Sequence, residues 1–368
     1  MESSYFSSIS ILSLYLPFLC LTLFAGKSSG AVAPALYLFG GSSLDAGNNN
    51  FLQTRAKANF YPYGIDFPGG STGRYTNGAT SGDFVARFLG LPYPPAYLSL
   101  SERQRQTIIT GINYASSAAG ILPESGTALG DILSLDEQIN YFESTVRNDL
   151  PKIFRTPGVL SYYLSRSVFV IAIGTNDYLN NYLQPHFYNR SKTNPPQQFA
   201  NLLLDTLGQQ LTTIYNLGGR KFVVYGIGAL GCLPVILANV NPKPTTPCAE
   251  NVNNLINIFN NGLASKLQQL TSSLKGSTFV SADAYTESYA QFQDPVKYGF
   301  SEGRTPCCAV GALGTCLPGQ EPCTDRNNHL YYDGVHPVQL VNYQFARNCF
   351  SGSTVCTPIN IRQLAFKL

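Results

Sequence analysis

The sequence has few charged residues, only three histidines and no tryptophan. Charged side chains make up 12% of the 368 residues, and the net charge is only +3. Lys and Arg form no cluster, as a nucleic-acid surface would require for displacing counterions, so nucleic-acid partners are excluded. Three histidines and irregularly spaced cysteines exclude a zinc site. Tyr (23) and Phe (22) are expected to supply the aromatic part of the core.

Long apolar runs are absent after the N-terminus, where one run extends from Ile9 to Ala25. This run contains Pro17 and leads into the small residues of Ser28–Ala33, which is typical of a secretory signal peptide. An uncleaved anchor is the alternative, because the first eight residues carry Glu2 and no basic side chain. We predict a signal peptide over residues 1–30, cut between 25 and 33, and one domain over 31–368. The protein is expected to be secreted and extracellular, without stable membrane insertion.

Cysteine usage supports an oxidising compartment. Cys20 lies in the leader, and the eight remaining cysteines are an even number, which favours disulfides in a secreted chain. We predict the pairs Cys232–Cys248 and Cys316–Cys323, although eight cysteines allow 105 pairings. Residues 295–324 hold four cysteines with many Gly and Pro, so a disulfide-pinned loop is expected there. Asn189-Arg-Ser is the single glycosylation sequon and predicts a glycan at Asn189.

Short apolar runs alternate with helical patterns along the chain. The runs predict buried strands at Ala35–Phe39, Ile108–Tyr114, Val168–Ile173, Lys221–Tyr225 and Thr278–Ala282. Helical patterns lie between them, at about Ser81–Leu89, Leu135–Asn148, Gln197–Asn216 and Ala249–Leu274. Strands that alternate with helices predict an α/β fold, with a parallel sheet covered on both faces.

Small and polar residues follow several of these strands, and ligands bind beyond the carboxyl ends of parallel strands. Ser42 follows the first strand, and Asn176 follows the third. Asp333 and His336 follow the fifth strand and the cysteine-rich loop, three residues apart. Serine is a weak nucleophile that needs a neighbouring base, usually a histidine oriented by a third group. These residue types therefore indicate acyl transfer with Ser42, His336 and Asp333 as candidates.

Seven stretches together resemble the plant GDSL esterase/lipases of the SGNH hydrolase superfamily, over nearly all of the mature chain. They are Phe39–Asn50, Gly73–Gly78, Gly111–Ser116, Ile173–Tyr178, Gly228–Pro234, the Cys307-Cys308 loop and Asp333–Pro337. The resemblance implies a three-layer α/β/α fold with a central, mainly parallel five-stranded sheet in flavodoxin-like order. It further implies Ser42 as nucleophile, His336 as base and Asp333 as its orienting group.

The resemblance also implies an oxyanion hole and no metal or organic cofactor. The hole would use the Ser42 N–H, the Asn176 side chain, and the N–H of Ala118 or Gly120. Two positions depart from the family: Gly41 stands where the aspartate of Gly-Asp-Ser-Leu is usual, and Ala118 stands at the best match to the oxyanion glycine. Alanine keeps the N–H donor but disfavours a positive φ.

The expected activity is that of a secreted serine esterase or lipase, which hydrolyses a carboxylic ester through an acyl-serine intermediate. An acyltransferase that uses the same triad is one alternative. A catalytically weakened binding protein on this scaffold is another, because Gly41 and Ala118 depart from the family. The expected partner is a small-molecule or polymer-borne ester, and a monomer is expected.

Overall fold

Five strands form one sheet through the described part of this computed structural model, residues 30–367. The predicted signal peptide and Cys20 lie outside the described residues, except for Gly30 at the edge. Val32–Leu368 forms one compact unit. The parallel strands are β1 (Leu36–Gly40), β2 (Val168–Ala172), β3 (Lys221–Tyr225) and β4 (Thr278–Ala282), and the antiparallel β5 (Cys356–Thr357) pairs with β4. Their spatial order is their chain order.

The predicted strand Ile108–Tyr114 is wrong as a regular strand, although the segment does lie beside β1. Leu38 N–H donates to Ile112 O (3.1 Å), and Tyr114 N–H donates back to Leu38 O (2.8 Å). Gly111 interrupts the extended backbone with φ 108°, and a Cβ there would lie 1.8 Å from Leu36 O. Only glycine permits so close an approach. If this segment is counted as the second strand along the chain, it lies outside β1, and β2, β3 and β4 become the third, fourth and fifth strands. The spatial order is then 2-1-3-4-5, as in flavodoxin-like folds.

The helices agree with their predicted positions within a few residues. The main ones are α1 (Ser81–Leu89), α2 (Leu135–Ser144), α3 (Pro157–Arg166), α4 (Pro196–Asn216), α5 (Glu250–Ser273), α6 (Ala284–Gln293), α7 (Gln339–Ser351) and α8 (Ile361–Phe366). Short α-helical turns occupy Glu102–Arg105, Leu150–Ile153, Thr175–Asp177, Arg190–Thr193 and Pro234–Asn239. Over residues 30–367, no helix has the length and apolar character that crossing a membrane requires.

Tighter and wider turns complete the helical structure. 3₁₀ turns occupy Asn48–Phe51, Tyr97–Ser99, Thr127–Leu129, Leu230–Cys232, Val296–Tyr298 and Arg326–Asn328. The helix predicted over Leu135–Asn148 ends as an α-helix at Ser144 and continues as a π-helical turn over Thr145–Asp149. A second π-helical turn, Tyr178–Tyr182, follows the turn that carries Asn176.

Side chains that alternate along the strands fill two separate cores, one on each face of the sheet. Tyr37 and Phe39 of β1 pack in the core that α2, α4 and α5 cover. Leu36 and Leu38 pack in the opposite core, beneath α1, α7 and α8. Because successive strand residues point to opposite faces, a strand that is buried on both faces is mainly apolar. Buried Lys221 of β3 is an exception, and its ammonium donates to Ala365 O (2.7 Å). The three-layer α/β/α fold predicted from the sequence is therefore confirmed.

All eight cysteines of the described residues form disulfides, and the pairing corrects half of the prediction. Cys232–Cys248 is confirmed, whereas the predicted Cys316–Cys323 pair is wrong. The other pairs are Cys307–Cys323, Cys308–Cys316 and Cys349–Cys356. Cys307 and Cys308 are neighbours on one segment, and their N–H groups donate to the carbonyls of Tyr331 and Tyr332. The two neighbouring cysteines take different partners, which ties this segment to Cys316 and to Cys323.

Candidate active site

Ser42 lies in the tight turn that follows β1. Gly40 closes the strand with φ 148°, and a Cβ at this position would lie 2.2 Å from Ala172 O of β2. Buried Gln138 of α2 holds the same glycine at both backbone atoms: its Oε1 accepts from Gly40 N–H (2.8 Å), and its Nε2 donates to Gly40 O (2.9 Å). The backbone that presents Ser42 is therefore fixed from the neighbouring strand and from the covering helix.

Asp333 and His336 share a tight turn just before α7. The Tyr332 N–H donates to the His336 carbonyl (2.8 Å), which closes this turn. Asp333 is fully buried, and its Oδ1 accepts from the N–H groups of Val335 (2.8 Å) and His336 (2.6 Å). The carboxylate is therefore held by its own turn, in addition to its contact with the imidazole ring.

The structure brings Ser42, His336 and Asp333 into one hydrogen-bonded chain. His336 Nε2 lies 2.7 Å from Ser42 Oγ, and His336 Nδ1 lies 2.8 Å from Asp333 Oδ2. The Tyr75 ring packs against the imidazole with ring centres 4.7 Å apart. Such an arrangement lets an imidazole accept the serine proton while the carboxylate fixes its tautomer and stabilises the positive charge that develops.

Asn176 borders the same cavities as Ser42 and His336. Its Nδ2 donates to Ala119 O (2.9 Å), and its Oδ1 accepts from Asn180 Nδ2 (2.7 Å). These two contacts fix which way the amide faces. Over the described residues, Ala119 O is the one acceptor that Nδ2 contacts, so its second N–H is available to a ligand. A Cβ at Gly41 would lie only 2.9 Å from this nitrogen, so the absent side chain gives the amide its room.

The two backbone candidates for the oxyanion hole differ in position. Ala118 borders the wider cavity together with Ser42 and Asn176, and it is the sole non-glycine residue with positive φ (67°) in the described part of the chain. Gly120 is not among the residues around either cavity, and a Cβ there would lie 2.6 Å from Asp177 Oδ1. The geometry therefore favours Ala118, whereas Gly120 makes room for a structural carboxylate. Non-glycine residues in the left-handed region often occur at functional sites.

Two buried carboxylates, Asp45 and Asp177, hold the loops that surround Ser42. Asp45 accepts from the N–H groups of Gly47 (2.7 Å) and Ser117 (2.9 Å). Asp177 accepts from Ile121 N–H (2.8 Å), and also from Leu122 N–H and the Ser125 hydroxyl. Burial raises the pKa of each carboxyl to about 6, although these hydrogen bonds act to lower it. Their role is to position the loops, because neither makes a hydrogen bond to Ser42 or His336.

Two cavities meet at the candidate catalytic residues. A narrower one of about 220 Å³ is lined mainly by apolar side chains, among them Ile173, Leu230, Leu233, Val341 and Phe345. A wider one of about 780 Å³ mixes polar and apolar side chains, among them Arg55, Leu179, Gln184, Ile236 and Leu313. Both include Ser42, Asn176 and His336. The two parts of an ester on either side of its carbonyl group can therefore be accommodated separately.

Sequence reasoning missed three residues that support the site, namely Tyr63, Gln138 and Asn180. The Tyr63 hydroxyl donates to Asp333 Oδ2 (2.5 Å) across 270 residues of sequence. Gln138 and Asn180 hold Gly40 and Asn176, as described above. No local spacing links Tyr63 or Gln138 to its partner, whereas Asn180 lies one helical turn after Asn176 and could have been found from that spacing.

A parallel α/β sheet with serine, histidine and aspartate in contact at its carboxyl edge is typical of serine hydrolases. The sequence model of the GDSL-like lipase/acylhydrolase family matches residues 36–348. The chain is 42% identical to GDSL esterase/lipase 7 of Arabidopsis thaliana over 339 residues, which is 91% of this chain and 92% of that protein. A second GDSL esterase/lipase of the same plant is 43% identical over 347 residues, 92% of this chain and 87% of the relative. The chain belongs to the GDSL lipase/acylhydrolase family, and its enzyme class is that of the carboxylic ester hydrolases.

Proposed function

We propose that this protein is a secreted serine esterase or lipase, and that it cleaves a carboxylic ester through an acyl-serine intermediate. One observation carries the proposal: the imidazole of His336 lies 2.7 Å from Ser42 Oγ at one nitrogen and 2.8 Å from Asp333 at the other. A base within hydrogen-bond reach of a hydroxyl, and itself oriented by a buried carboxylate, is what serine needs to act as a nucleophile.

In the first half-reaction, Ser42 Oγ attacks the ester carbonyl carbon while His336 Nε2 takes the hydroxyl proton. The carbonyl π electrons move to the oxygen, which becomes the oxyanion of a tetrahedral intermediate. Collapse of this intermediate breaks the bond to the leaving oxygen, which takes the proton from Nε2 and departs as the alcohol. In the second half-reaction, water gives its proton to Nε2 and attacks the acyl-serine. A second collapse then releases the acid and returns the proton to Ser42.

The oxyanion would be held by the Ser42 N–H, the Ala118 N–H and the free N–H of Asn176. The contacts of Asn176 with Ala119 O and Asn180 support this assignment, because they aim the amide before substrate arrives. Removal of one such donor costs about 10²–10³ in kcat in a well-studied serine hydrolase. We assign Gly120 no part in this hole.

A fluorophosphonate probe, which labels activated serines, tests the nucleophile. Intact protein should be labelled at Ser42, and Ser42→Ala should lose both the label and, by about 10⁴-fold or more, the cleavage of an aryl ester. Ser43→Ala is the matched control, because the neighbouring hydroxyl has the same chemistry but lies outside the chain of hydrogen bonds that joins Ser42, His336 and Asp333. Labelling that persists in folded Ser42→Ala would show that another residue is the nucleophile.

The two alternatives give different outcomes with the same protein. An acyltransferase would pass the acyl group to an added alcohol in preference to water, so the ratio of new ester to free acid distinguishes it from a hydrolase. A weakened binding protein would bind esters without labelling of Ser42. The contacts of Ser42, Asn176, Asp333 and His336 favour an enzyme over a binding protein. We favour hydrolysis over acyl transfer because the family and its relatives are esterase/lipases.

Secretion is supported by the leader pattern of residues 1–30 and by four disulfides, which persist in oxidising compartments. Asn189 is exposed at the start of a short helical turn, where a glycan can be accommodated. N-terminal sequencing of protein from the culture medium should find a first residue between 26 and 34. Recovery only from inside the cells, with the leader intact, would contradict secretion.

We propose a small-molecule or polymer-borne ester as the substrate, and a monomer as the working form. The mixed lining of the wider cavity supports a substrate with a polar part, and the apolar lining of the narrower cavity supports a hydrocarbon part. A panel of esters with one part varied at a time should show the strongest dependence on an apolar group on one side of the carbonyl. Light scattering of active protein tests the oligomeric state.

A further inference from the structure

The carboxylate of Asp333 has a hydrogen-bond partner from a distant part of the chain. Its Oδ2 accepts from His336 Nδ1 (2.8 Å) and also from the Tyr63 hydroxyl (2.5 Å). The two donors share Oδ2, the oxygen nearer to the imidazole, while Nδ1 also lies 3.0 Å from Oδ1. The charge of the carboxylate is therefore divided between His336 and Tyr63. Tyr63 lies in the segment between β1 and α1, and its side chain is fully buried.

The direction of the Tyr63 hydroxyl is fixed by the cysteine-rich loop. The N–H of Cys316, which is bonded to Cys308, donates to the Tyr63 oxygen (2.9 Å). Because that N–H occupies a lone pair of the oxygen, the hydroxyl proton is left to point at Asp333. The Tyr63 ring is enclosed by Phe60, Tyr75 and Tyr332, with ring centres 5.4–5.8 Å away. Neither the ring nor the hydroxyl has room to turn away from the carboxylate.

Tyr63 stays a donor over the pH range in which esterases are assayed. Burial, followed by the negative charge of Asp333, raises the pKa of the Tyr63 hydroxyl well above its ordinary value. A neutral phenol that donates to a carboxylate shares its negative charge. The carboxylate then stabilises the imidazolium of His336 less strongly than an undivided charge would.

We propose that Tyr63 is a positioning residue, which sets through its hydrogen bond to Asp333 how strongly the carboxylate supports the base His336. This inference rests on the proposed serine-esterase function. The bond has two effects on the reaction. It holds Oδ2 beside Nδ1 of the imidazole, which favours a high kcat, and it limits the charge felt by the imidazolium, which sets the pH range of activity.

Tyr63→Phe removes this hydroxyl without changing the ring. The pH midpoint of the acidic limb of kcat/KM should move upward by roughly half a unit, because the undivided charge of Asp333 favours imidazolium. At its new optimum, kcat should fall about tenfold, as expected for loss of a hydrogen bond to a charged group, with KM little changed. Tyr332→Phe is the matched control. Its hydroxyl donates to Pro62 O (2.5 Å), not to Asp333, so that variant should keep the pH midpoint even if its stability falls.

A solely structural role for Tyr63 predicts a different result, since Tyr63→Phe also leaves the Cys316 N–H without its acceptor. Stability would then fall while the pH midpoint stayed in place, and that outcome overturns the proposal. If Tyr63→Phe does not fold, 3,5-difluorotyrosine at position 63 keeps both hydrogen bonds. Its stronger donor should move the midpoint downward, and an unchanged midpoint would refute the idea equally.

The same experiment separates failure of this inference from failure of the proposed function. Fluorophosphonate labelling of Ser42 in the wild-type protein reports on the nucleophile alone. Labelling together with an unmoved midpoint in Tyr63→Phe would remove Tyr63 from the mechanism and leave the esterase proposal standing. Absence of labelling in wild-type protein would remove both.

Discussion

Asp333→Asn is the substitution for which the structure makes the most definite expectation. The carboxylate acts only as an acceptor, from two backbone N–H groups at Oδ1 and from Tyr63 at Oδ2. His336 Nδ1 lies 2.8 Å from Oδ2 and 3.0 Å from Oδ1. Asparagine has one acceptor oxygen and one NH₂ donor in the same volume. The backbone N–H groups cannot turn away, so the asparagine oxygen must face them. Its NH₂ group then faces His336.

An NH₂ group at the Oδ2 position, 2.8 Å from Nδ1, opposes a proton on that nitrogen more strongly than the oxygen at 3.0 Å favours one, so we expect the imidazole proton to move to Nε2. His336 would then donate to Ser42 rather than accept from it, which is the wrong tautomer for a base. In trypsin the equivalent substitution lowers kcat about 10⁴-fold, and we expect a loss of that order, about 5 kcal/mol of transition-state stabilisation. The opposed donors at Tyr63 should also cost about 1–3 kcal/mol of stability.

The assay is kcat and kcat/KM for an aryl ester across pH, together with chemical denaturation of each variant. Asp83→Asn is a suitable control, because Asp83 is a buried carboxylate that pairs with Arg74 (2.7 Å) rather than with the imidazole. It should lose stability and keep kcat in the folded fraction. The tautomer argument would be refuted if folded Asp333→Asn retained more than about a tenth of wild-type kcat.

Three further expectations follow from other parts of the structure. Removing the Cys308–Cys316 bridge by serine substitution should lower kcat, because the N–H of Cys316 supports Tyr63. Removing the Cys349–Cys356 bridge should leave kcat unchanged, and equal kcat in both variants would contradict this expectation. The pKa of Asp177 is raised from 3.8 in the unfolded chain to about 6 in the folded protein, so the folded state binds the proton more tightly. The protonated carboxyl therefore adds about 3 kcal/mol to the free energy of unfolding below pH 4, and this amount is lost as pH rises through 6. The difference in unfolding free energy between wild type and Asp177→Asn should therefore change over that range, and a constant difference would refute the assignment. Ala118→Gly should leave the free energy of unfolding nearly unchanged. Glycine relieves about 1 kcal/mol of backbone strain at the positive φ of this residue, and the lost burial of the methyl group costs about 0.8 kcal/mol. A change in kcat above tenfold would show that the methyl group itself affects the reaction.

The strands of the sheet could be predicted because a strand that is buried on both faces is mainly apolar. Four of the five predicted strands occur as β1–β4, since each is mainly apolar, although β3 begins with Lys221 and β4 contains Thr278 and Ser281. The run at 108–114 failed as a strand because Gly111 takes a left-handed conformation to approach β1. The two-residue β5 is too short to produce any periodicity.

Some residues of the candidate site could be predicted from the sequence, and others could not. Ser42, Asn176, Asp333 and His336 could be located because each follows a strand or shares a short motif, and the structure brings them together. Tyr63 could not, because its contact with Asp333 joins segments 270 residues apart with no pattern in common. The pairing of the cysteine-rich loop was missed for a related reason. It depends on Cys307 and Cys308 lying beside Tyr331 and Tyr332, which is a tertiary contact.

The distance along the chain between Ser42 and His336, the proposed nucleophile and base, has a consequence for biosynthesis. Ser42 and His336 are 294 residues apart, and ribosomes add about 5–20 residues per second, so about 15–60 s separate the synthesis of the two. During that interval the turn after β1 can form, but its hydroxyl has no base. A nascent or truncated chain that ends before residue 333 should therefore be chemically silent toward esters. The order of synthesis itself then prevents cleavage of esters by the unfinished enzyme.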